Sequence, residues 1–314
     1  MAKARKPVRR TRRERCVLGI DVGGTNVRAG LFSPDSGALH CLHTTDTEAT
    51  LKGSESLARV SGLVRQVVEQ GRARGLFARQ LGIGIPELIG LDGRIDSHCS
   101  LPWRASAVRS SLRAYGKVTI ASDVIAASLA EARMGAGRGH AVFLYVTVGT
   151  GISAALVIDG KPFAGAHGHA ISFASGATFA AASAGGEPHV EALEARASGP
   201  GILRRARARG LTESDAIAVC RTALREPGIA RTIVDEAATE LAIHVAILAN
   251  ALDPTLVVLG GGLGSARGRY WSTFRAALPR HAWGPPMHRL RVRRAQLGGV
   301  AGTIGAALCA LEAE

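Results

Sequence analysis

The sequence predicts an α/β protein of two domains facing each other across a cleft. Three observations carry that expectation. A module of apolar strand, glycine-rich turn and apolar strand occurs near the N-terminus, in 16–32, and again in 141–160. A third glycine turn, Gly260-Gly261-Gly262, follows another apolar strand. Between the strands lie segments with the 3.6-residue apolar period of helices, a mixture that points to sheets covered by helices. The chain has 314 residues, long enough for two ordinary domains.

Taken in order, residues 1–15 come first. They hold eight Lys or Arg and one Glu, so about half of the net charge of +14 sits there. The expectation is a basic, solvated, disordered tail, able to touch an acidic surface but equipped only for salt-dependent, non-specific nucleic-acid binding. The first strand runs from Cys16 to Ile20 and turns through DVGGTN into a second strand, Val27 to Phe32. A short strand at Leu39 to Thr44 follows, then a helix within 55–75 with Leu57, Val60, Leu63, Val64 and Val67 on one face. LGIGIP (81–86) reads as a buried strand closed by Pro86. VTIASD (118–123) reads as another, feeding a helix from Val124 to Met134 with Asp123 at its N-cap.

After GAGRG (135–139) the strand AVFLYVTV ends in Gly149-Thr150-Gly151, and SAALVIDG (153–160) is its hairpin partner. Segment 164–186 has no period and reads as loop. The longest helical signal spans 228–252; TLVVLGGGLG (255–264) is a strand with a glycine exit; residues 300–313 form a last apolar helix. The division expected is a tail at 1–15, a small domain at 16–122 and a large domain at 123–314, with the last helix packing back on the small domain.

Composition excludes several classes. No run of 18 apolar residues occurs, so a membrane-spanning helix is not expected, and no apolar stretch of signal-peptide type follows the basic start. Five cysteines, none in a CxxC pair, argue against a disulfide framework and suit a reducing cytoplasm.

The chemistry lies in the turns. Glycines after a buried strand let phosphate approach backbone N–H groups without Cβ clashes. Gly23, Gly24, Thr25 and Asn26 form one such turn; Gly149, Thr150 and Gly151 a second; Gly260, Gly261 and Gly262 a third. Asp21 stands where a divalent cation meets phosphate, directly or through water. Asp123, at the carboxyl end of a strand, is placed either to cap its helix or to act as general base toward a substrate hydroxyl. Neither GxGxxG nor GxxxxGK[ST] occurs, so a phosphate cradle here is of another type.

DVGGTN, GIGIP, LPW, a strand ending in Asp before a helix, GAGRG, VTVGTGI, IDGK, EARASGP, DPTLVVLGGG and AGTIGAA occur in this order. Together they make the chain resemble the ROK family of sugar kinases and regulators over about 16–312. The resemblance implies an actin-like (ribonuclease H-like) two-domain ATPase fold with an interdomain cleft. It implies ATP and Mg2+ as cofactors and transfer of the γ-phosphoryl group to a sugar hydroxyl. It assigns Asp123 as catalytic base, the first two glycine turns to the phosphates, the third to the adenosine side, and Glu194 to the sugar. Family members often form homodimers through the large domain.

The sequence also departs from the family pattern. Ser122-Asp123 replaces Asn-Asp. In GAHGHAISFAS (165–175), Ser172 and Ser175 replace a Glu and a His that contact the anomeric end of the sugar. The cysteine-rich zinc motif is missing from GGEPHVEALE (185–194), and His167, His169 and His189 do not replace its ligand set, so a structural zinc is not expected. These losses point to an acceptor that differs from glucose at that end, an amino sugar or a C7-cyclitol pseudo-sugar, such as family kinases of antibiotic pathways phosphorylate. Polyphosphate stays open as an alternative donor. The alternative reading is a catalytically inactive, sugar-sensing regulator. The family's repressors carry an N-terminal DNA-binding domain, and about 15 residues before the first strand are too few for a helix-turn-helix.

Overall fold

The computed structural model describes residues 14–46, 55–170, 172–179, 190–285 and 287–313. Residues 1–13 of the expected tail and His189 of the zinc question lie outside the described residues.

Two five-stranded sheets organise the chain. The first contains β1 (Glu14–Val22), β2 (Asn26–Phe32), β3 (Leu39–Asp46), β4 (Leu76–Ile85) and β5 (Lys117–Ser122), in the order β3-β2-β1-β4-β5. β1–β2 and β2–β3 pair antiparallel, β1–β4 and β4–β5 parallel. The second sheet contains β6 (Val142–Val148), β7 (Ile152–Ile158), β8 (Lys161–Pro162), β11 (Leu256–Gly260) and β12 (Arg291–Arg294). Its order is β12-β11-β6-β7-β8, again with an antiparallel meander on one side of the central strand and two parallel strands on the other. The two sheets therefore repeat one topology. A small antiparallel pair, β9 (Ala177–Phe179) with β10 (Val190–Ala192), stands apart.

Burial explains the strand sequences. β1 lies between two partners, and Cys16, Val17, Leu18, Ile20 and Val22 are all buried, so it reads as a continuous apolar run. β12 is an edge strand with an alternating Arg-Val-Arg-Arg sequence, and its charge conceals it from a search for apolar runs. β4 begins at Leu76, five residues before the expected start, because Leu76, Phe77 and Ala78 pair with Glu14, Arg15 and Cys16 of β1.

The helices cover the sheets. α1 (Ser56–Ala73) packs Val60, Leu63, Val64 and Val67 into the first core, together with α2 (Ala105–Leu112). α3 (Asp123–Met134) follows β5. The second core is built from α4 (Leu193–Ala197), α5 (Gly199–Ala208), α6 (Ala216–Arg225), α7 (Ile229–Leu252) and α9 (Arg269–His281), with the one-turn α8 (Gly261–Gly264) after β11. α10 (Ala301–Glu312), last in sequence, packs on β1, β4 and α3.

One further boundary differs from the sequence expectation. Strand β5 ends at Ser122, which occupies the N-cap position in extended backbone (ψ 142), and Asp123 is the first helical residue. The Asp123 carboxylate accepts the N–H of its neighbour Val124 at 2.7 Å and is not the N-cap. The strand expected at the start of 255–264 ends at Gly260, where its glycine exit begins: Gly261 takes φ +77 and starts α8.

Candidate active site

The sequence-predicted turns sit at the carboxyl ends of β1, β6 and β11. The β1–β2 turn is closed by the N–H of Gly23 bonding to the carbonyl of Asn26 at 2.9 Å. Asn26 Nδ2 donates to Thr25 Oγ1 at 3.3 Å. The second turn is closed by Gly149 N–H to Gly151 O at 2.9 Å, and Gly149 O accepts from Gly199 N–H at 2.9 Å.

The three turns meet. A Cβ on Gly24 would lie 2.7 Å from the Thr150 side chain, so the first turn, from one lobe, abuts the second, from the other. A Cβ on Gly261 would lie 2.4 Å from Val148 O, and one on Gly149 3.8 Å from Gly262 N, so the third turn backs onto the second. Glycine is required at Gly24 and Gly261 for this approach; a methyl group there must push a neighbour away.

Two carboxylates act on one another near these turns: Asp21, two residues before Gly23 at the end of β1, and Asp123, which follows β5. Asp123 is partly buried, held by Val124 N–H and at 3.5 Å by Ser122 Oγ. Burial, reinforced by repulsion from Asp21, pushes its pKa up to about 7. Asp21 lies on β1, and its own pKa is pushed up to about 6 by burial, opposed by Arg28, whose guanidinium stands 3.9 Å away. A Cβ on Gly302 would lie 2.4 Å from the Asp21 carboxyl, so the first turn of α10 is bare where this side chain passes. The charges of both aspartates reach Tyr145 on β6 of the other lobe, whose phenol is raised first by burial and then by Glu131, Asp123 and Asp21. The pair therefore lies between the sheets. Asp21 suits Mg2+: it is a hard oxygen donor, and Mg2+ takes one or two carboxylates while keeping several waters and substrate phosphates.

The expected sugar-side residues are placed differently from one another. Glu194 Oε2 accepts the N–H of Ile152 at 2.8 Å, so this carboxylate braces the second glycine turn. Ser172 is exposed and its hydroxyl donates to the carbonyl of His169 at 3.2 Å. Ser175 is exposed. Ala174 O accepts from Glu194 N–H at 3.0 Å, which ties this segment to α4.

Sequence reasoning missed two groups. His169 Nε2 lies 3.0 Å from Asp96 Oδ2, joining the loop after β8 to the loop after β4 across the lobes. A lone Asp in a loop carries no sequence signal for such a pair. Glu87, which follows Pro86, is buried and receives the N–H groups of Cys99, Ser100 and Leu101 at 2.6–3.0 Å as well as the Ser97 hydroxyl. Burial pushes its pKa up, but the Ser97 and backbone hydrogen bonds outweigh that and hold it below the usual carboxylate range. Among the described residues no three His, Cys, Asp or Glu gather as a metal site, and no helix is long and apolar enough to cross a membrane.

A duplicated sheet topology with phosphate-type turns meeting between the lobes defines a two-domain α/β chain of the actin-like ATPase fold. The ROK family profile matches residues 17–313, and the chain belongs to the ROK family. It is 32% identical over 301 residues to the bifunctional enzyme NanE/NanK of Brucella melitensis biotype 1, covering 93% of this chain and 53% of that one. The chain thus spans about half the length of that relative. Kanosamine kinase of Amycolatopsis mediterranei is 31% identical over 308 residues, with 92% of this chain and 94% of that one covered. Among solved structures, the ROK hexokinase from Thermus thermophilus superposes with a TM-score of 0.73 at 29% identity, covering 95% and 98% of the two chains.

Proposed function

We propose that this chain transfers the γ-phosphoryl group of ATP to a primary hydroxyl of a sugar or sugar-like acceptor, with Asp123 as general base. The observation that supports the reading is the meeting of three glycine turns, with the charges of Asp21 and Asp123 reaching Tyr145, whose hydroxyl lies against Gly260 of the third turn. The ROK membership and the kinases among its relatives support phosphorylation of a sugar in general.

The first two turns, Gly23–Asn26 and Gly149–Gly151, cradle the phosphates with backbone N–H groups, and Gly260–Gly262 lines the adenosine side. Asp21 would hold Mg2+, which when bound would neutralise charge on the phosphate oxygens. Asp123 accepts the proton of the acceptor hydroxyl as its oxygen bonds to the γ-phosphorus and the bond to ADP breaks. A pKa of about 7 suits that work, since a base is most effective when its proton affinity lies near the working pH.

On the acceptor side, Ser122, Ser172, Ser175 and Glu194 are the contacts to test. Ser172 and Ser175 are short, and Ser172 already donates to a backbone carbonyl. Together with the similarity to kanosamine kinase, this favours an amino sugar or cyclitol over glucose. A phosphorylation assay with ATP and Mg2+ over glucose, hexosamines and cyclitols tests it. Asp123→Ala lowers kcat by roughly 10²–10⁴-fold. A loss below tenfold removes Asp123 as base, and glucose as the best acceptor removes the specificity part. Acceptor binding without turnover in the wild type replaces the kinase by the sugar-sensing reading.

A further inference from the structure

The strands that end in the second and third glycine turns begin at the opposite edge of the sheet. β6, β11 and β12 are parallel, and their starting ends open on a cavity of about 500 Å3 lined by His140, Asp253, Thr255, Arg289 and Arg291 among others. A second hollow of about 370 Å3 shares Arg291 and adds Arg275 and Arg293. At about 3.3 Å per residue, the seven residues of β6 put this site some 20 Å from the glycine turns.

Its charge is unbalanced. Arg275, Arg289, Arg291 and Arg293 make no ion pair or side-chain hydrogen bond among the described residues. Several arginines elsewhere are matched, such as Arg196 with Glu240, Arg205 with Glu236 and Arg269 with Asp235. The lining holds one carboxylate, the exposed Asp253, against these four cations. Arg291 and Arg293 alternate with Val292 on an edge strand, so both project to the same side about 7 Å apart. Grouped cations of this kind create a positive potential that an anion relieves. Pro254, Met287 and Leu290 add an apolar wall.

We propose that this cavity is a second binding site, distinct from the cleft, for a small phosphate-bearing organic molecule. Arg289, Arg291 and Arg293 take the phosphate and the apolar wall takes the carbon skeleton. Guanidinium forks match phosphate oxygens in pairs, and a concave hollow of this volume suits a small molecule. His140 completes the site. Thr255 Oγ1 spends its proton on Val142 O at 2.9 Å, so the His140 Nδ1 at 3.0 Å from it is the N–H donor, which leaves Nε2 as the nitrogen that gains a proton. Burial, then Arg293 and Arg291, lower the pKa of His140, and a bound phosphate reverses the contribution of the arginines.

The test uses the full chain, with pyrophosphate and glucose 6-phosphate as probes and glucose as the neutral control. Calorimetry measures affinity at low salt, and NMR follows the His140 titration, assigned with His140→Gln. Expected results are a tenfold or greater loss of glucose 6-phosphate affinity in R291Q/R293Q, no such loss in the charge-matched R221Q/R225Q, and a higher His140 midpoint with the probe bound. Equal loss in both variants, unchanged affinity in R291Q/R293Q, or an unmoved midpoint overturns the proposal. Tighter binding of duplex DNA than of glucose 6-phosphate through the same arginines also overturns it, replacing the small ligand by nucleic acid. The phosphate turns of the cleft can hold the same probes, so the difference made by R291Q/R293Q and the His140 midpoint, both local to this cavity and independent of turnover, are what separate this proposal from the kinase reading.

Discussion

Asp21 and Asp123 share one low-dielectric space, and their proton affinities rise for that reason. The two titrate as a pair, with values of about 6 and about 7. A carboxyl whose folded pKa is raised binds its proton better in the folded than in the unfolded chain. Its contribution to stability is full below pH about 4 and is lost as pH rises through about 7. On the proposed function activity should run the other way, since Asp123 as base would work only when ionised. The acid limb of kcat/KM should therefore have its midpoint near 7, while Tm falls between pH 5 and pH 8. Asp123→Asn should flatten that fall in Tm. Asp21→Asn removes a neighbouring negative charge and should move the acid limb to lower pH; a limb that stays in place would show that Asp21 does not act on Asp123. The type and spacing of these residues were legible in the sequence. The repulsion between them was not, because they are 102 positions apart in the chain and meet only through the β1–β4–β5 pairing.

The element that joins the parts most tightly is α10. Its apolar composition announces a buried helix, yet nothing in its own sequence says against what. The partners are glycines at the contact points. A Cβ on Gly19 would lie 1.9 Å from Thr303 O, one on Gly82 1.7 Å from Ala306 O, and one on Gly305 1.7 Å from Ala126 O. These are backbone atoms, which cannot rotate aside. Gly305→Ala, although it favours helix locally, should destabilise the protein by about 1–3 kcal/mol through overpacking. Thermal denaturation checks the sign: a stabilised variant would mean that α10 is free to move away from α3. β12 shows the converse failure of reading, since its arginines hide a strand whose pairing with β11 is plain only in three dimensions.

At the scale of the molecule, the two lobes repeat one sheet and share two helices. Val124 and Ala132 of α3 pack into the core against Phe143, Tyr145 and Val258 of the second sheet, while Ala130 of the same helix packs with Ile304 of α10 and Val17 of the first. Glu131, fully buried, receives the N–H groups of Ala136 at 2.7 Å, Gln296 at 3.1 Å and Leu297 at 2.8 Å, which pins α3 to the chain entering α10. Because the last helix completes the core of the first sheet, the lobes should unfold together. Calorimetry is expected to show one transition, and removal of 301–314 should abolish it; two resolved transitions would show independent lobes. Glu131→Ala strands three backbone donors and should lower Tm by several degrees.

The repeated module of strand, glycine turn and strand, the residues of the glycine turns, and Asp123 as a carboxylate at a strand's end are all legible in the amino-acid sequence. These are local properties, set by side-chain period and by backbone freedom within a few residues. Long-range contacts set the rest: turns from opposite lobes abut, Glu194 braces a turn, His169 reaches Asp96, and four arginines gather with no partner among the described residues. Each of those depends on residues far apart in sequence, and a contact between distant segments leaves no periodic trace in either one.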